Sequence, residues 1–228
     1  MTLSLNQDHS SDTHLTLIDS IAPELRARLA SRRGLFTRAA AKLGAAATAP
    51  AVLAVASTEA FGQALPGQGG DVLNFALTLE YLEAEFYQTA LSTRGLIPGR
   101  YRAVFAQIGK HEVEHVRTLR GALGGAAVAK PPFDFTARGQ YTGVFSDFTT
   151  FATLSSTFED LGVAAYKGQA GNLQGTPALS TALRIHSVEA RHAAEVRRVR
   201  GLRGFAGPLD APKTKEEVLT AAGPFIAG

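Results

Sequence analysis

The sequence predicts an all-α protein, a four-helix bundle with one long crossover connection between helices two and three. Three observations carry this. Apolar residues recur at helical spacing over four segments of about twenty residues each. Strand-like alternation is scarce, with only Tyr141–Phe145 able to read as extended. The links between helices one and two and between three and four are short, whereas the middle one is long, so two antiparallel pairs are joined by a crossover. The 228 residues are 45% hydrophobic and 19% charged, enough apolar material for a real core. The absence of Cys excludes disulfide scaffolds, cysteine-zinc sites, iron–sulfur clusters and thiol nucleophiles. A formal charge of +3 is too mild to point to a nucleic-acid partner.

Residues 1–65 read as an export leader and 66–228 as the bundle with a C-terminal tail. In the leader, Ser31-Arg32-Arg33-Gly34-Leu35-Phe36 precedes a stretch, Leu43 to Thr58, that carries no charge. A basic region followed by a weakly apolar one is the order of a secretory signal. The pair Arg32-Arg33 resembles the twin-arginine export motif, with Phe and Leu exchanged and Thr37 in place of Lys. Ala54 and Ala56, or Gly62 and Ala64, offer cleavage sites. The apolar stretch is short, Ala-rich and broken by Pro50, which disfavours a membrane span. Such a leader implies partnership with twin-arginine export machinery and a place in the bacterial periplasm or envelope. That route carries folded proteins, so a cofactor can be loaded beforehand.

Helix one is expected over 71–93, with Asp71 able to cap its start and Gly95 and Pro98 ending it. Helix two runs from about Tyr101 to Leu123 and stops at Gly124-Gly125. The crossover follows, rich in Gly, Pro and aromatics. Helix three is expected from about Asp147 to Ala170, and helix four from a Thr176-Pro177 cap to about Arg200. The tail holds one short helix near Lys215–Ala222.

Chemistry-bearing residues recur in both halves. Glu112-Val-Glu-His115 and Glu189-Ala-Arg-His192 each set a carboxylate and an imidazole three residues apart, on one helix face. Glu80 precedes Tyr87 by seven residues and Glu159 precedes Tyr166 by seven, almost two turns, so each pair also shares a face. Each half therefore reads Glu-x6-Tyr, then Glu-x-x-His. Two-fold folding would bring four carboxylates and two imidazoles to the bundle centre, enough to hold two metal ions. Buried carboxylates are expensive unless a cation compensates them. Glu83 shares the face of Glu80, but its counterpart in the repeat is Gly162, so symmetry favours Glu80 as the ligand. Glu85 and Glu114 point elsewhere on their helices and are expected in solvent. His111 and His186 lie near the set, with orienting and surface roles both open. The arginines that end helix four suit a helix C-terminus.

This pattern resembles the ferritin-like di-metal carboxylate proteins, and in particular their exported, desiccation-related branch. Leu79-Glu-Tyr-Leu-Glu-Ala-Glu-Phe-Tyr87, Phe158-Glu-Asp-Leu-Gly-Val-Ala-Ala-Tyr166 and the Pro224-Phe-Ile ending carry the likeness, over residues 70–228. The resemblance implies Glu80, Glu112, His115, Glu159, Glu189 and His192 as metal ligands and Tyr87 and Tyr166 as residues that orient the ligating carboxylates. Spacing alone does not assign bridging and terminal roles.

Carboxylate-rich positions with one His each suit iron or manganese. The expectation is thus two iron or two manganese ions, dioxygen or peroxide as the small-molecule substrate, and an oxidoreductase that is ferroxidase-like or peroxide-degrading. A homo-oligomer is left open. The alternative is a metal-binding envelope protein of stress or desiccation with little turnover. A structural module that has lost its metal is a further reading, opposed by the presence of all six ligands. His111-Glu-Val-Glu-His115 also fits the zinc-protease motif His-Glu-x-x-His, but that reading leaves the second Glu-x-x-His and both Glu-x6-Tyr pairs unexplained.

Overall fold

Five α-helices form in a computed structural model that describes residues 68–205 and 207–227. They are α1 (Gln68–Ser92), α2 (Gly99–Leu123), α3 (Phe148–Gln169), α4 (Ala178–Val199) and the short α5 (Lys215–Ala222). The described residues contain no strand, only one isolated antiparallel bridge between Phe133 and Ile226. The all-α expectation holds. The leader over 1–65, with Arg32 and Arg33, lies outside the described residues.

Local chemistry sets the helix ends. Asp147 caps α3, its carboxylate accepting the Thr150 N–H at 2.6 Å and the Thr150 hydroxyl at 2.8 Å. Thr214 and Glu217 form a reciprocal capping box on α5. Two expected caps are corrected. Helix α1 begins at Gln68, which puts Asp71 inside its first turn, where it still favours the positive helix end. Pro177 rather than Thr176 occupies the cap position of α4, because the Thr176 hydroxyl turns back to the carbonyl of Leu173 at 2.8 Å.

Contacts between helices fix their directions. Asn74 reaches Ala126 and Leu91 reaches Arg102, so α1 and α2 are antiparallel. Tyr87 bonds Glu159 and Tyr166 bonds Glu80, so α1 and α3 are antiparallel as well. It follows that α2 and α3 run in the same direction, and the chain must travel the bundle's length between them, about 35 Å for helices of this size. Residues 124–147 make that journey through turns. Tyr141–Phe145 is among these turns and is not extended. Ala137 and Arg138 adopt left-handed φ values of 47° and 59°. The Asp134 carboxylate holds this corner by accepting the N–H groups of Thr136 and Arg138, each at 2.9 Å.

Two apolar clusters fill the bundle. One is aromatic and includes Phe86, Tyr87, Phe105, Phe151, Phe158 and Phe225. The other is aliphatic, with Leu73, Leu77, Leu119, Leu173 and Ile185 among its members. The C-terminal tail locks the crossover: Asp134 N–H donates to Phe225 O at 2.9 Å, and the Phe225 ring meets Phe158 edge-on at 4.9 Å. On α2, α3 and α4 the residues Glu112, His115, Glu159, Glu189 and His192 fall in sequence between that helix's contributions to the two clusters, and Glu80 lies at the edge of the aliphatic one on α1, so the centre sits between the two.

Candidate metal centre

The six residues singled out as ligands converge. Glu80 from α1, Glu112 and His115 from α2, Glu159 from α3, and Glu189 and His192 from α4 are all buried, the carboxylates at no more than 1% exposure. Two groups of ligand atoms form, each with all members within 4.8 Å of one another. One comprises Glu80, Glu112, His115 and Glu189; the other comprises Glu112, Glu159, Glu189 and His192. Glu112 and Glu189 belong to both. The two oxygens of Glu112 divide between the imidazoles, Oε2 lying 3.1 Å from His115 Nδ1 and Oε1 lying 2.8 Å from His192 Nδ1. Spacing could not separate shared from unshared carboxylates. The structure separates them.

The tyrosines cross between the halves. Tyr87 of α1 donates to Glu159 of α3, and Tyr166 of α3 donates to Glu80 of α1 at 2.5 Å. Each hydroxyl thus fixes one oxygen of an unshared carboxylate and leaves the other facing an imidazole. The second oxygen of Glu80 is 3.1 Å from His115 Nδ1, and that of Glu159 is 3.3 Å from His192 Nδ1. Burial, and then the carboxylate each one meets, push both tyrosine pKa values well above the ordinary value, so they remain donors. Close helix approach makes this possible. A Cβ on Gly109 would lie 3.1 Å from that of Tyr87, and one on Gly162 would lie 3.0 Å from Glu189 Oε2.

Glu83, which the symmetry of the repeat set aside as a ligand in favour of Glu80, is buried beside the centre but is not part of it. It is 3% exposed, lies outside both ligand groups, and faces the space that Gly162 leaves open. Burial pushes its carboxyl well up, and repulsion from Glu189, Glu112, Glu159 and Glu80 adds to this. Glu85 pairs with Lys130 and Glu114 with Arg117 at the surface, as their helix faces predict. His186 is half-buried and in neither ligand group. Arg197 pairs with Asp160 at 2.6 Å. His111 also stands outside both groups; its Nδ1 lies 2.8 Å from His192 Nε2, so it does not share an aim with His115 as a zinc-protease pair would.

Electrostatics show what this cluster lacks in protein alone. Burial raises Glu189 well above the carboxylate range and lifts Glu112 to about 7. Burial also works against charge on the imidazoles, but the carboxylates gathered around each ring outweigh it, raising His115 and lifting His192 to about 10. Glu80 is likewise pushed up by burial, yet His115 outweighs that and holds it low. Each Nδ1 meets three carboxylates within 4.0 Å, although one ring N–H can serve only one of them well. Glu112 Oε1, Glu159 Oε2, both oxygens of Glu189 and His192 Nδ1 are buried without an aligned hydrogen-bond partner. Orphaned acceptors are costly, and a cation with several coordination directions satisfies them together. The residues present fit metal ions.

Fold and site together define a helical bundle with a buried carboxylate–imidazole centre. The ferritin-like domain family matches residues 69–202, more than half of the chain, and the chain belongs to that family. No curated protein matches it.

Proposed function

We propose that this protein is an exported di-metal carboxylate oxidoreductase of oxidative or desiccation stress, either ferroxidase-like or peroxide-degrading. The observation that supports it best is the pair of overlapping ligand groups that share Glu112 and Glu189. On this reading Glu80 and His115 would hold one ion and Glu159 and His192 the other, with Glu112 and Glu189 available to both. Oxygen donors with one imidazole per ion favour iron or manganese. Such a pair supplies two one-electron couples, matching the two electrons that separate dioxygen from peroxide, or peroxide from water.

The chain's own residues prepare the site. Tyr87 and Tyr166 hold the unshared carboxylates in one orientation. The aromatic and aliphatic clusters exclude bulk water from both ends. Glu83 adds a further buried carboxyl next to the ligand groups, across from Gly162. Export by the twin-arginine route is supported by Ser31-Arg32-Arg33 and by the uncharged stretch after Lys42. Kinship to the desiccation-related branch is supported by the Leu79–Tyr87 and Phe158–Tyr166 stretches. Among the described residues no helix is long and apolar enough to cross a membrane.

The test is turnover by protein loaded with iron or manganese. Oxygen release from hydrogen peroxide, or oxygen uptake that depends on added ferrous ion, is the expected result. Metal binding without either activity would replace the enzyme with a non-catalytic metal-binding stress protein.

A further inference from the structure

His111 is unused by the centre described above, yet it touches it. Its Nδ1 lies 2.8 Å from Nε2 of His192, and the two rings lie nearly parallel with centroids 5.1 Å apart. Its own Nε2 lies 2.6 Å from the side-chain amide of the exposed Gln107. His192 presents its other nitrogen, Nδ1, to Glu112 and Glu159. A ring that ligates through Nδ1 must be free of a proton there, so its single proton sits on Nε2 and needs an acceptor. His111 Nδ1 is that acceptor. The proton of His111 then occupies its Nε2 and points at Gln107. A half turn of that amide presents Oε1 instead of NH2 and completes the row at no cost in space.

The other half of the centre has no such row. The repeat aligns Glu112 with Glu189, which places Val188 where His111 would stand behind His115. Valine has no hydrogen-bonding group to offer. The two halves match in their ligands and differ in what stands behind the histidine.

On the di-metal reading, we propose that His111 is a positioning residue for one ion only: it accepts the Nε2–H of His192, holds that ring with Nδ1 toward the carboxylates, and makes the position at Glu159 and His192 bind more tightly than the position at Glu80 and His115.

The experiment is a titration of the full chain with Mn(II), free ion being read by electron paramagnetic resonance. Wild type should show two unequal binding steps. Loss of an outer hydrogen bond to a ligating histidine weakens metal binding about 10–100-fold. His111→Leu should therefore weaken the tighter step by that factor and leave the weaker one within about threefold. His111→Asn, whose Oδ1 accepts where Nδ1 did, should restore the tighter step, which a purely space-filling role would not predict. With Zn(II) as a diamagnetic probe, nitrogen NMR should show His192 protonated at Nε2, with that proton exchanging faster with water in His111→Leu. Two ions bound by wild type, with His111→Leu unchanged, with both steps equally weakened, or with Asn behaving like Leu, would overturn the proposal and leave the di-metal reading standing. A wild-type chain that takes up no Mn(II) would overturn both.

Discussion

Raising the pH should destabilise this protein when it is metal-free, and metal should abolish the effect. In the fold, carboxylates hold His115 well above its ordinary pKa and His192 at about 10, whereas in the unfolded chain both return to about 6.5. Between those limits the native state binds more protons than the unfolded state. Stability from these groups is therefore fully present below pH 6.5 and is lost as pH rises through the folded values. One excess proton changes stability by about 1.4 kcal/mol per pH unit, so two imidazoles give a ceiling of about 3 kcal/mol per unit between pH 7 and 9. Glu112, lifted from 4.5 to about 7, acts in the same direction at lower pH, because the fold again binds the extra proton. For a domain of this size the melting temperature should fall by about 5–10 °C per pH unit. Thermal unfolding in chelator at pH 7, 8 and 9 reads this directly. Metal replaces the protons on the imidazoles, so the loaded protein should show little slope. A metal-free melting temperature that is flat or rises over this range would refute the electrostatic account of the centre.

Tyr166→Phe leaves a buried oxygen of Glu80 without its donor, at about 1–3 kcal/mol of stability. It should weaken the ion held by Glu80 and His115, whereas Tyr87→Phe should weaken the other; metal titration that shows the same step affected in both variants would contradict the crossed pairing. Gly162→Ala sets a methyl 3.0 Å from Glu189 Oε2 and so displaces a carboxylate common to both ligand groups. Affinity for both ions should drop while the metal-free melting temperature stays near wild type, since helix propensity gains about 1 kcal/mol against a crowding cost of similar size. Unchanged affinities would show that Glu189 has room to yield. Phe225→Ala removes the 4%-exposed ring that ties the tail to Phe158 and the crossover, and should cost about 3–5 kcal/mol in urea unfolding. Early proteolysis of the crossover around residues 132–146 should accompany it.

Much of the fold was legible because its boundaries are chemically punctuated. Gly95 and Pro98 end α1, Gly124 ends α2 and Asp147 opens α3, and each is a local signal. The six convergent side chains were legible because a spacing of three or seven residues fixes a helix face whatever the partner. What lay out of reach depends on register between helices. No periodicity within α1 says that Tyr87 serves Glu159 rather than Glu80, or that His111 meets a ring 81 positions away. That Glu83 lies across from Gly162 on another helix is likewise a matter of register, although the symmetry of the repeat correctly kept it out of the ligand set. Thr176 misled because its hydroxyl had a nearer carbonyl to serve.

Metal content tests the central claim most directly. Elemental analysis of the purified protein should find two iron or manganese ions per chain, and Glu112→Ala combined with Glu189→Ala should bind none while circular dichroism still reports a helical bundle. Undiminished stoichiometry in the double variant would contradict the assignment of these two carboxylates as the shared ligands on which the centre depends.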